Sequence, residues 1–211
     1  MLQINQFRKA YQRQLVLQIE HFTIAPEIYW VQGSNGSGKS TLLKAIAGMT
    51  SFEGDIVLNK ALTLKRQPTA YRSAVNFAEA EPMFPPFLTG TDLIRLFKTA
   101  KNAPAHQEDH YLETMHMTAY VDEPVGTYSS GMLKKLSLVL AFLGRPSCVL
   151  LDEPLTTLDA GSLPILYAWI ASLSQQQEMI FLLSSHQPFQ GGLLPTVQPI
   201  VVDRATIGYS A

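Results

Sequence analysis

The apolar positions along the chain change period several times, and the changes mark its elements. Residues 2–8 and 14–24 read as two strands, with alternation legible in Leu15-Val16-Leu17-Gln18-Ile19 and a turn at Tyr11-Gln12-Arg13-Gln14 between them. Pro26 breaks the chain before a short apolar strand, Ile28-Tyr29-Trp30-Val31-Gln32, and a helix follows over 39–49. Strand patterns return at 54–59 and 73–77. From Thr89 the spacing turns helical, with polar faces over 92–99 and 108–117 separated by Ala103-Pro104. A longer helix is expected from Ser129 to about Leu143, capped by Ser129 or Ser130 and closed by Gly144-Arg145-Pro146. Then come an apolar strand at Cys148-Val149-Leu150-Leu151, a helix over 162–173, a strand over 179–183, a Pro/Gly-rich loop over 188–198 and a terminal hairpin from 200–203 and 205–208.

This order predicts an α/β fold. A mostly parallel sheet with flanking helices forms the core, an antiparallel β region lies at the N-terminus, and a helical subdomain is inserted at about 85–145 of a single 1–211 domain. The 211 residues can bury a full core. Hydrophobic content of 46% against 16% charged residues places the chain among folded proteins, and a net charge of −1 gives no basic field for nucleic acid. Cys148 is the single cysteine, so no intramolecular disulfide is available, which suits a reducing cytosol. The N-terminal residues lack the charged-then-apolar order of a signal peptide, and the longest apolar runs, such as 136–143, are core-sized.

Two stretches carry chemistry. Gly33-Ser34-Asn35-Gly36-Ser37-Gly38-Lys39-Ser40-Thr41 fits the phosphate-binding pattern G-x-x-x-x-G-K-[ST] and sits between a strand and a helix. Its glycines let backbone N–H groups close around phosphate oxygens. Lys39 is placed to reach the β- and γ-phosphates, and the Ser40 hydroxyl to hold Mg²⁺. The second stretch, Cys148 to Pro154, delivers Asp152 and Glu153 at the C-terminal edge of a buried parallel strand, where open α/β sheets place ligands. Asp152 suits support of Mg²⁺, and Glu153 suits facing an attacking water. ATP with Mg²⁺ is the expected ligand.

Taken together, the chain resembles the ATP-binding cassette ATPases over essentially its whole length. Tyr128-Ser129-Ser130-Gly131-Met132 stands where that family carries its signature, usually L-S-G-G-Q, with Ser130 for the first glycine and Met132 for the glutamine. Leu158-Asp159 matches the family's D-loop, His186 its switch histidine, and Tyr11 the aromatic that stacks on adenine. The resemblance implies two cassettes sandwiching two ATPs, with Ser129 and Gly131 of each touching the γ-phosphate held by the other. Glu153, His186 and Lys39 are then the catalytic residues. It also implies separate transmembrane permease subunits, an exporter-like arrangement, an ATP-dependent homodimer, and a place on the inner face of the cell membrane through the partner. One departure stands out. Where the family has a metal-approaching glutamine this chain has Ala80, between Glu79 and Glu81. Either a neighbouring glutamate substitutes, or the Mg²⁺ shell is weaker and turnover slow or partner-dependent. A soluble cassette acting on ribosomes or DNA, and a regulatory cassette that binds ATP with little turnover, are the alternative readings.

Overall fold

A computed structural model describes residues 1–176, 178–186 and 193–209, so residues 188–192 of the expected Pro/Gly-rich loop lie outside it. The N-terminal β region is antiparallel, with β1 (Leu2–Tyr11), β2 (Gln14–Ile24), β4 (Glu53–Leu58) and β5 (Leu62–Thr63) in the order β2-β1-β4-β5. Strand β1 shows how sequence sets this sheet. Leu2 and Ile4 point inward, the pairing with β4 then slips between Asn5 and Arg8 with Gln6 at a φ of 50°, and Phe7 and Lys9 point inward thereafter. The extra residue of this bulge keeps the inward set inward, which a strict period of two would not.

The second sheet holds β3 (Ile28–Gln32), β6 (Val75–Ala78), β7 (Cys148–Leu151), β8 (Ile180–Ser184), β9 (Val197–Asp203) and β10 (Thr206–Tyr209) in the order β10-β9-β3-β8-β7-β6. All its pairings are parallel except β9 with β10. The terminal hairpin thus belongs to the core sheet, and β9 begins earlier than its sequence pattern suggests. Every residue of β7 and β8 is buried. Cys148 and Leu150 face the core shared with the N-terminal sheet, while Val149 and Leu151 face the core beneath the helices. Two covered faces explain why these strands read as apolar runs without alternation.

Helix α1 (Lys39–Ile46) follows β3, and α2 (Pro68–Ser73) lies between the sheets' strands, with a proline at its start and only Tyr71 buried. Helices α3 (Gly90–Lys101), α4 (Gln107–Thr114) and α5 (Ser130–Phe142) stand between β6 and β7, and α6 (Ser162–Gln176) between β7 and β8. Thr89 and Asp92 form a reciprocal capping box at the start of α3, and Asn102 closes it in the left-handed region. Ser129 caps α5 by accepting from the Met132 N–H at 3.2 Å. The far end of α5 is tied to the sheet by Asn76, which donates to the carbonyls of Ala141 and Leu143 at 2.8 and 2.7 Å. The C-terminal ends of β3, β6, β7 and β8 all point to one edge of the sheet, and the candidate chemistry gathers there.

Candidate functional site

The loop leaving β3 is built by backbone constraints. A Cβ on Gly33 would lie 2.4 Å from the Val202 carbonyl and 2.5 Å from Ser37 Oγ, so only glycine lets the chain pass that close to β9. Gly38 is the N-cap of α1 at a φ of 107° and, having no side chain, leaves the first N–H groups of the helix uncapped. These open donors and the positive end of the helix face the loop, which is the physical basis for holding phosphate. Lys39 is 7% exposed, and its ammonium donates to the carbonyls of Gly33 and Ser34 at 2.7 and 3.1 Å, arching over the loop's own backbone. Ser37 Oγ is buried in the loop without a hydrogen-bond partner. Ser34, Asn35, Gly36 and Ser40 are exposed, ready to meet a ligand.

At the end of β7, Asp152 is 2% exposed and its Oδ1 accepts from Ser184 Oγ at 2.6 Å. The same hydroxyl accepts from the Glu153 N–H at 3.0 Å. Ser184, at the end of β8, thus joins the two acids. Glu153 sits at a φ of 45°, which turns its side chain from the strand direction into the cleft. Its Oε1 lies 3.3 Å from His186 Nε2 but outside hydrogen-bond geometry, and so is buried without a hydrogen-bond partner. A carboxylate oxygen in that position is poised to accept from a water or an imidazolium.

A cleft of about 440 Å³ joins Tyr11, Asn35, Gly36, Gly38, Lys39, Ser40, Thr41, Glu153 and His186. That volume lies within the range of small-molecule sites. Ser34 and Ser37 line a neighbouring recess of about 280 Å³ with Asp203 and Arg204. Tyr11 is half exposed, and Lys9 Nζ stands 4.5 Å from the centre of its ring. Lys9 is itself anchored to Thr50 Oγ and the Ser51 carbonyl at 2.9 and 2.7 Å. Among the described residues no group of three or more His, Cys, Asp and Glu gathers as a metal cage. Mg²⁺ needs none, since one or two protein oxygens plus phosphates and waters complete its shell. The Ser40 hydroxyl and the buried Asp152 carboxylate are donors of that kind.

Three sequence-predicted residues lie elsewhere. Ser129 is exposed at the start of α5, and Gly131 is partly buried with the Thr157 carbonyl 3.0 Å from where a Cβ would stand. Asp159 accepts from Lys135 at 2.7 Å and from Ser162, and the Lys135 hydrogen bond foremost holds its carboxyl down at about 2. None of the three lines the cleft. The segment around Ala80 also stays out of it. Glu79 pairs with Lys44 at 3.2 Å and lines an apolar groove, not the cleft.

Sequence reasoning missed two residues. Ser184 is one. The other is Lys134 on α5, fully buried, whose ammonium donates to the carbonyls of Glu79, Ala80 and Asp152 at 2.9, 3.0 and 3.1 Å. Burial pushes its pKa down to about 8 against the opposing pull of Asp152 and Glu153. The available signal was a lysine between Leu133 and Leu136, at the edge of the mostly apolar run that makes up the rest of the helix, with Lys135 beside it.

Comparison with known proteins agrees with this geometry. The family model described as "ABC transporter" matches residues 18–156. The chain is 28% identical over 180 residues to an uncharacterised ABC transporter ATP-binding protein, YdbJ, of Bacillus subtilis, covering 85% of this chain but 58% of that one. It is 29% identical over 195 residues to the zinc uptake system ATP-binding protein ZurA of Listeria monocytogenes, covering 88% and 76% of the two chains. In fold it is similar to the ATP-binding cassette MJ0796, solved as a dimer in a post-hydrolysis state with ADP and Pi, with a TM-score of 0.82 at 16% identity over 99% of this chain and 98% of that one.

Proposed function

The chain belongs to the ABC transporter family of ATPases, and from that premise we propose that it hydrolyses ATP as one half of a nucleotide-sandwich dimer, powering separate transmembrane permease subunits in an exporter-like system. The observation that carries this reading is the single cleft in which the Gly33–Thr41 loop, Glu153 and His186 meet. In that cleft Lys39 and the open N-terminus of α1 hold the β- and γ-phosphates, and Tyr11 stacks on the base. Ser40 and Asp152 would hold Mg²⁺, which when bound would supply positive charge against the phosphoryl oxygens. Glu153 orients the attacking water with its unpartnered oxygen, and His186, 3.3 Å away, steadies the γ-phosphate. Ser129, Gly131 and Asp159 line no part of their own chain's cleft, which supports their use on the ATP of a second copy.

Among the described residues no helix is long and apolar enough to cross a membrane. In this reading the permease subunits carry the membrane step. A groove of about 430 Å³ lined by Phe77, Met83, Phe84, Leu93, Phe97 and Leu140 offers a docking surface for an apolar helix of that partner. Met83 in that lining and Phe87, four residues further along the chain, are 90% and 78% exposed, and large apolar side chains left facing water together are a mark of interaction surfaces. Purification from membranes tests this. The permease should co-purify with the wild-type chain and be lost with Met83→Asp and Phe87→Asp. Retention of the permease by both variants would remove the groove from the reading, and ribosome co-sedimentation in its place would favour a soluble cassette. The Tyr-Ser-Ser-Gly-Met form of the signature supports export. Since an uptake system stands among the relatives, flux assays in vesicles of both orientations decide the direction. One observation favours a regulatory reading: the 79–81 segment sends no side chain into the cleft. ATP binding without turnover, with the permease present, would establish it.

A further inference from the structure

The peptide group between Asp152 and Glu153 is held from both sides. Its N–H donates to Ser184 Oγ at 3.0 Å, and its carbonyl accepts from Lys134 Nζ at 3.1 Å. The plane of that peptide fixes where Glu153 begins, and Glu153 occupies the left-handed region, a conformation that is unfavourable for a non-glycine residue and persists only where neighbours impose it. Lys134 supplies more than one anchor. Its other two N–H groups go to the carbonyls of Glu79 and Ala80, so all three ammonium donors are used and none reaches a carboxylate. Ala80 has no polar side chain, and only its backbone can be held. The next residue, Lys135, pairs with Asp159, so the first turns of α5 grip the segment after β7 near both its ends.

A fully buried ammonium is expensive, and an apolar side chain of the same length would pack there without that cost. The use of a lysine therefore points to what its bonds fix. We propose that Lys134 is a positioning residue for turnover: it sets the peptide plane that aims Glu153 and ties it to the 79–80 loop and to the start of α5. Any shift of α5, which carries Ser129 and Gly131, then reaches Glu153 through one side chain. Lys134 does not line the nucleotide cleft, so its effect falls on the chemical step and not on ATP binding. This rests on the ATPase reading of the cleft.

The test compares Lys134→Met, which keeps the length without the donors, and Lys134→Gln, which restores two donors, in the full chain. With Mg·ATP, kcat should fall at least tenfold in Lys134→Met and less in Lys134→Gln, while KM stays within threefold. Amide exchange should quicken at least tenfold at Glu153 in Lys134→Met, with α3 unchanged. Wild-type kcat and wild-type exchange at Glu153 in Lys134→Met would overturn the proposal. So would a joint loss of kcat and ATP affinity that tracks a fall in melting temperature and is not relieved by glutamine. A wild-type chain that turns over no ATP would overturn the reading of the site instead, and the exchange at Glu153 would still decide whether Lys134 holds the peptide.

Discussion

Removing the Ser184 hydroxyl should damage both the fold and the reaction, in amounts that can be worked from its contacts. The group donates to the buried Asp152 carboxylate at 2.6 Å and accepts from the Glu153 N–H at 3.0 Å, and Ser184 is fully buried. Ser184→Ala costs the aspartate a charge-assisted hydrogen bond, about 1.5–3 kcal/mol, and strands an N–H, about 1–3 kcal/mol. Partial relaxation brings the total to roughly 2–4 kcal/mol, which for a chain of this size lowers the melting temperature by about 5–15 °C. The freed Glu153 peptide should also cut kcat by about tenfold, equivalent to about 1.4 kcal/mol in the barrier. ATP affinity should hold, because Ser184 does not line the cleft. Thermal melts and steady-state ATPase assays of Ser184→Ala beside Ser184→Thr measure both effects. Threonine keeps the hydroxyl and should recover most of each. An alanine variant that melts and turns over like wild type, or a threonine variant no better than alanine, would refute the bridging role.

Two further predictions concern the cleft's edge and the segment beyond it. Tyr11→Ala should weaken ATP binding by about 1–2 kcal/mol through lost stacking while leaving the melting temperature unchanged, since the ring is half exposed; calorimetric titration with ATP checks this, and unchanged affinity would return Tyr11 to a packing role. The Asp159 carboxyl is depressed to about 2 from 3.8, chiefly by Lys135, so its pairing stabilises the fold above about pH 4 and is lost as pH falls through about 2. Lys135→Met should move its titration, followed by NMR, back towards 3.8, and an unmoved titration would deny the pairing.

The parts of this molecule that the sequence displays are those with a strong period or a fixed motif. The buried strands β7 and β8 appear as apolar runs because both their faces are covered, and the loop from Gly33 to Thr41 appears because its backbone geometry admits few residues. Helix α2 was hidden because it spans six residues and buries only Tyr71, leaving no period to detect. The bulge in β1 was hidden because a single slip at Gln6 changes which residues face inward without changing composition. Ser184 and Lys134 were missed for a different reason. Each acts through partners 31 or more and 18 or more positions away, and that proximity exists only once β6, β7, β8 and α5 are packed together. Glu79 shows the same limit: its neighbourhood to Ala80 invites a metal role, but the fold pairs it with Lys44.

Mg²⁺-dependent ATP turnover against protein concentration, with Glu153→Gln run in parallel, bears on the whole reading at once. Turnover should rise more steeply than linearly if, as proposed, each site needs Ser129 and Gly131 from a second copy, and Glu153→Gln should bind ATP yet hydrolyse almost none. Turnover strictly proportional to protein concentration and undiminished in Glu153→Gln would mean that neither the paired cassettes nor the glutamate performs the reaction assigned to them.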